Sequence, residues 1–286
     1  MTYSPGSDSS PKPHSDHPMR RLSVPAARRD IRKSHVQAGA ALVSRINKER
    51  AATVEPGPEQ RQYAVSVLFD DGTVRAFEHD APENLFLEDI CARFARGALI
   101  ATGNGQIAVE DLRPGDMIKT RDNGFQTLRW ISRCMIAGQT EDAGTDTLPI
   151  RIKADALGEL RPLQDLVVSH RFRMLTNHPS CIPLFGSPEA LAPAIDLLDG
   201  ESVLQFRPSC DLMFFNLMFD GHQIIEANGL ETESYHPGNY GVSIMPFQMQ
   251  AHLRQIFPHL NGNLENFGKV ARPMLRGFEA KVLRAG

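Results

Sequence analysis

Hydrophobic positions in the stretch YAVSVLFDDGTVRAFEHD, residues 63–80, fall in alternation. Tyr63, Val65 and Val67 share one face; Ala64, Ser66 and Leu68 share the other. Asp71-Gly72 then supplies a favoured turn, and Val74 and Phe77 resume beyond it, which predicts a β-hairpin. From residue 97 to about 235 the short-period pattern returns in GALIAT, QIAVEDL, DMIKTRDNGFQTLRWISRCMI, LPIRIKADAL, DLVVSHRFRML, SVLQF and DLMFFNLMFDGHQIIEANG. Gly103-Asn104-Gly105, Pro114-Gly115-Asp116, Asn123-Gly124 and Asn228-Gly229 punctuate these runs. The predicted fold class is mainly β: a compact all-β domain of short strands, with an N-terminal β-hairpin and a helical C-terminal tail. The pattern is ambiguous in APENLFLEDICARF, which fits a short helix or the lead into the next strand. Leu191–Leu198 reads as one or two helical turns, and the tail from MPFQMQ onward as more helical still.

Composition divides the chain further. Residues 1–26 are rich in Ser, Pro and Asp and hold too little apolar surface to offset ordering entropy, so disorder is predicted. Residues 27–50 carry seven Lys/Arg against Asp30 and Glu49, with Ile31, His35, Ala38, Leu42 and Ile46 at helical spacing. This basic helix reads as a solvated element or as one that docks a protein partner or a membrane surface. The predicted organisation is a disordered basic leader with a short helix (1–60), a hairpin and connector (61–90), the all-β domain (91–240) and a helical tail (241–286).

Apolar residues at 41% and charged residues at 23% suffice for a packed core. A formal charge of −3 argues against a dedicated nucleic-acid binder. No apolar run is long enough for a transmembrane helix, and the N-terminal stretch has no signal-peptide core. The cytoplasm, or secretion without a cleaved N-terminal signal, is the expected location. Cys91, Cys134, Cys181 and Cys210 lie too far apart for a paired framework, so free thiols are expected. His178 and Cys181 have an H-x-x-C spacing but no second ligand pair, and no metal or other cofactor is expected.

Five segments in order resemble the Hint (hedgehog/intein) domain of bacterial Hint-containing proteins. They are GALIATGNGQIAVEDLRPGDMIKTRDNGFQTLRWI, PIRIKADALGE, DLVVSHRFRML, LFGSPEALAPAIDLLDG and LMFDGHQIIEANGLETESYHPG, spanning roughly residues 93–240. The resemblance implies self-processing, with the protein's own polypeptide as substrate. In that family a cysteine at the domain's first position attacks the preceding carbonyl and converts the peptide to a thioester. A histidine in a segment like VVSHRFRM serves the scissile peptide, and polar residues on the late LMFDGH hairpin organise the site.

Against that pattern, the cysteine position falls at Arg93, the histidine position at Phe172 and a third polar position at Asn216. A guanidinium is no nucleophile. Cys91 and His170 both stand two residues upstream of the family positions. If their segments run parallel the pair could meet; if antiparallel, the displacements add to a separation of about 13 Å. The candidate catalytic set is therefore Cys91, His170, Asp220 and His222, each with a plain structural alternative: a buried thiol, a packing histidine, a polar network. Ser234, flanked by Glu231, Glu233 and His236, lacks the nucleophile elbow of a serine hydrolase. Three functions stay open: a self-cleaving domain acting through an N–S acyl shift, a degenerate Hint fold serving as a structural or partner-binding module, and a thiol- or metal-dependent enzyme on the same scaffold.

Overall fold

A computed structural model describes residues 60–82, 84–138, 147–237, 247–260, 267–277 and 279. The leader, including the disorder expected at 1–26 and the basic helix expected at 27–50, lies outside the described residues. Among the described residues, sixteen short strands form two antiparallel sheets, accompanied by three short helices. The first sheet runs β13 (Val203–Gln205), β9 (Ile150–Ile152), β10 (Leu166–Val168), β3 (Phe94–Ala95), β14 (Leu212–Met218), β8 (Trp130–Ile136), β1 (Gln60–Leu68), β2 (Val74–Pro82). The second runs β12 (Glu189–Pro193), β11 (Arg173–Asn177), β16 (Leu230–Glu233), β15 (Ile224–Ala227), β4 (Leu99–Thr102), β6 (Met117–Lys119), β7 (Phe125–Thr127), with β5 (Gly105–Ala108) also on β4. The mainly-β expectation is met.

The predicted turns fall where their residue types demand. Asn228 and Gly229 both take positive φ (49° and 78°), giving the two-residue turn that joins β15 to β16. Gly115 adopts φ 106°, and Asp116 caps the same turn by accepting from the Arg113 amide at 2.7 Å. The N-terminal hairpin pairs Leu68 with Val74 through Gln60 with Pro82, over a five-residue loop that is longer than a tight two-residue turn.

The ambiguous segment resolves as α1 (Leu85–Cys91). Asn84 supplies its N-cap, its side chain accepting from Phe86 and Leu87 amides. The helical reading of Leu191–Leu198 is corrected. Glu189–Pro193 is β12, paired along its whole length with β11, and only Ala194–Leu197 forms a 3-10 turn. Pairing that buries Ala190, Leu191 and Ala192 overrides the helix propensity of alanine and leucine. A four-residue helix, α2 (Ile182–Phe185), precedes it. In the tail, α3 (Phe247–Ile256) is helical, followed by one 3-10 turn at Pro258–Leu260, whereas Met274 lies extended in a β-bridge to Leu191.

The strand period sorts β14 and β8 between two cores. Phe215, Leu217 and Ile131 point into the core between the sheets, with Phe94, Ile100, Ile118, Phe172 and Leu230. Phe214, Met218, Trp130 and Cys134 point to the outer face of the first sheet, where Leu87, Ile90 and Cys91 of α1 and Leu253 and Ile256 of α3 cover them. The Trp130 indole N–H donates to the Ile256 carbonyl at 2.7 Å and fixes the end of α3 to the sheet. The hairpin is thus no appendage: β1 lies between β2 and β8, five residues in register with the latter.

Candidate functional site

The junction at residues 90–94 is where α1 ends and β3 begins. Helices leave their last carbonyls without internal partners. Here two side chains of the sheet beneath supply them. Asn216 donates from Nδ2 to the Ile90 carbonyl at 2.7 Å, and the Ser132 hydroxyl donates to the Cys91 carbonyl at 2.9 Å. Asn216 is fully buried, and its Oδ1 accepts from the Leu217 amide at 3.0 Å.

Arg93 is tied on both sides of its backbone. Its amide donates to the Phe215 carbonyl and its carbonyl accepts from the Ser169 amide, each at 3.0 Å. Its guanidinium turns inward, 7% exposed, and donates from Nη1 to Glu233 Oε1 at 2.9 Å. Arg173 reaches the same oxygen at 2.9 Å from a more exposed position. The other oxygen, Oε2, lies 3.3 Å from His222 Nε2, which also sits 3.1 Å from the Ser234 carbonyl. The Ala271 amide donates to His222 Nδ1 at 2.9 Å, which assigns the imidazole proton of the neutral ring to Nε2. Burial alone would raise the Glu233 carboxyl; Arg93, His222 and Arg173 override it and hold Glu233 at about 2. Position 93 is therefore one end of a buried ionic network.

Phe172 offers no acid–base chemistry. It is fully buried and packs edge-on against Phe94, ring centroids 5.7 Å apart. Cys91 is buried at the end of α1. Burial pushes its thiol well above its ordinary range, opposed only in part by a hydrogen bond with Ser132. The segments carrying Cys91 and His170 are antiparallel where they pair, Val168 facing Phe94. Cys91 lies in the helix and not on the strand. His170 turns to Asp89, with Nε2 3.3 Å from Oδ1, and Arg171 holds Oδ2 at 2.8 Å. Burial, helped by the Arg171 charge, lowers His170 to about 4; burial raises Asp89 to about 6 against the pull of Arg171 and Arg93. Among the described residues no hydrogen bond or ion pair joins Cys91 to His170.

The remaining candidates separate. Asp220 is solvent-exposed beyond β14 and accepts from Arg129 at 2.8 Å, while His222, two residues on, is buried in the Glu233 network. Ser234 is fully buried, its hydroxyl accepting from the Gln223 amide at 3.0 Å. His178 accepts from the Ser180 amide through Nδ1, and Cys181 is buried. Among the described residues no three His, Cys, Asp or Glu side chains converge to hold a metal ion. No helix of the described residues is long and apolar enough to cross a membrane.

Sequence reasoning missed Glu233 and Arg173 as partners of position 93, and Ser132 as a cap for α1. The one visible signal is that two arginines, Arg93 and Arg96, stand in the apolar run CARFARGALIAT; whichever of them is buried needs a buried acid as partner.

Two antiparallel sheets, with polar and ionic side chains gathered around the peptide junction at residues 90–94, define an all-β domain. Residues 91–239 match the Hint domain, more than half of the chain, and the chain belongs to that family. No curated protein matches it.

Proposed function

We propose that this chain is a Hint domain that has given up cleavage at position 93 for a structural and partner-binding role. The observation that carries the reading is the fate of position 93. An N–S acyl shift there needs a thiol whose sulfur bonds to the Ala92 carbonyl carbon as the C–N bond breaks, and a proton for the departing amine. Arg93 offers no electron pair, its charge is committed to Glu233, and Phe172 offers no proton. The seven basic residues of 27–50 are the proposed docking element for a protein partner.

One observation favours a second reading. Asn216 donates to the Ile90 carbonyl, the group that Cys91 would attack if cleavage had moved two residues upstream. A donor on that oxygen is the kind of contact that stabilises a tetrahedral intermediate. Burial of the Cys91 thiol, with no base in contact, weighs against it.

Intact mass under denaturing conditions, with and without dithiothreitol, separates the two for wild type, Cys91→Ala and Arg93→Cys. Full-length chain alone is expected in every sample. A thiol-dependent fragment beginning at Cys91, absent from Cys91→Ala, would overturn the proposal and establish the displaced nucleophile. Cleavage regained in Arg93→Cys would show a working frame that lacks only its nucleophile.

A further inference from the structure

Away from the junction, a cavity of about 480 Å³ opens on the second sheet. This volume falls in the range of small-molecule sites, roughly 300–1,000 Å³. Leu157 and Leu197 give it partly exposed apolar walls, and Met174 and Leu230 lie buried beneath its floor. Met174 and Leu230 belong to the core between the sheets, with Leu157 and Leu197 packed against it, so this lining is held from behind.

The polar groups of the cavity differ in how they are committed. Arg121 is neutralised twice, by Glu231 and by Glu189, the second at 2.7 Å. Glu189 is further held by Arg272 at 2.7 Å. The two carboxylates at the cavity are thus already satisfied. Arg161 is different: it is solvent-exposed, and its guanidinium makes no hydrogen bond or ion pair among the described residues. His178 commits Nδ1 to the Ser180 amide, which leaves Nε2–H as a donor.

The loop that carries Arg161 is held by local hydrogen bonds. Leu160 is held at φ 57° and donates its amide to Asp155 Oδ1 at 2.6 Å. Leu163 donates its amide to the Asn228 carbonyl at 2.7 Å. Gly229 lies beneath, where a Cβ would come within 3.0 Å of the Leu160 carbonyl and the Leu163 side chain. Glycine there allows the loop to sit directly on the β15–β16 turn.

We infer that this cavity binds a small carboxylate with an apolar body, its acid group meeting Arg161 and His178 and its chain lying against Leu157 and Leu197. An uncommitted guanidinium suits a carboxylate by bidentate geometry, and the lining suits an alkyl chain. The site shares no residue with the Arg93–Glu233 network, so it stands or falls independently of whether the domain cleaves itself.

Isothermal titration of the full chain with octanoate tests the assignment, with octan-1-ol as the neutral probe. Two variants accompany it: Arg161→Ala, which removes the charge, and Thr176→Trp, which puts a bulky ring among the lining residues; thermal melts check that both fold. Saturable octanoate binding is expected, weakened about tenfold or more in Arg161→Ala by loss of charge-assisted hydrogen bonds, and abolished in Thr176→Trp. Octan-1-ol binding should be weaker than octanoate in wild type and indifferent to Arg161→Ala. No octanoate binding by wild type, or equal binding by folded Arg161→Ala, overturns the inference. Should Arg161→Ala unfold, Arg161→Gln, which keeps the stem and removes the charge, must show the same loss.

Discussion

Replacing Glu233 by glutamine removes one charge from the centre of the network and leaves its shape. Glu233 is held at about 2 against an ordinary value of 4.5. At about 1.4 kcal/mol for each tenfold change in proton affinity, the difference is worth about 3 kcal/mol of folding stability. The cost of breaking a buried ion pair by removing one partner, about 3–5 kcal/mol, is of the same size. Arg173, 30% exposed, can turn toward water once its partner is lost; Arg93, 7% exposed and tied at its amide and carbonyl, cannot. The penalty therefore falls mainly on a buried, uncompensated Arg93. Because the folded-state value is depressed, the contribution is fully present above about pH 4.5 and is lost as pH falls through about 2. Urea melts of wild type and Glu233→Gln should differ by about 3 kcal/mol at pH 7, and the two should converge as the pH is lowered toward 2. Taking the difference between the two proteins cancels the carboxylates they share. A loss under about 1 kcal/mol at pH 7, or a gap that stays constant down to about pH 2.5, would refute a buried carboxylate that Arg93 needs.

Asn216→Ala should lower stability by about 1–3 kcal/mol in the same urea assay, because it strips the Ile90 carbonyl of its buried donor. Asp220→Ala, two strand repeats away but exposed, should cost less than about 1 kcal/mol; equal losses would show that the junction is not the sensitive one. With Cys91, Cys134 and Cys181 buried and Cys210 exposed, Ellman's reagent should titrate one thiol quickly in the native protein and all four in denaturant. Fast native labelling of Cys91, read by peptide mass, would contradict its placement on the buried face of α1.

Local chemistry was legible in the sequence and distant chemistry was not. Asn228-Gly229 and Pro114-Gly115-Asp116 mark turns because their residue types fit those backbone angles wherever they occur. The alternation at Tyr63, Val65 and Val67 reports one buried face, and all three are buried. Leu191–Leu198 reads as helical turns by propensity, because the pairing of Glu189–Pro193 with Arg173–Asn177 is a tertiary fact. Of the candidate site, His222 belongs to the junction network, whereas Asp220, in the same hairpin, faces solvent. Glu233 stands 140 residues from Arg93, and no spacing rule connects them. The antiparallel pairing of Val168 with Phe94 was equally out of reach, because it depends on strand order.

The placement of β1 has a practical corollary. Residues 60–92 contribute two strands and the helix whose Leu87, Ile90 and Cys91 seal the outer core. A chain severed between Ala92 and Arg93 would remain a clasped pair of fragments, held by the ladder between β1 and β8 and by that seal. Two pieces produced separately should therefore find each other and rebuild one body, as halves of a complementation reporter do.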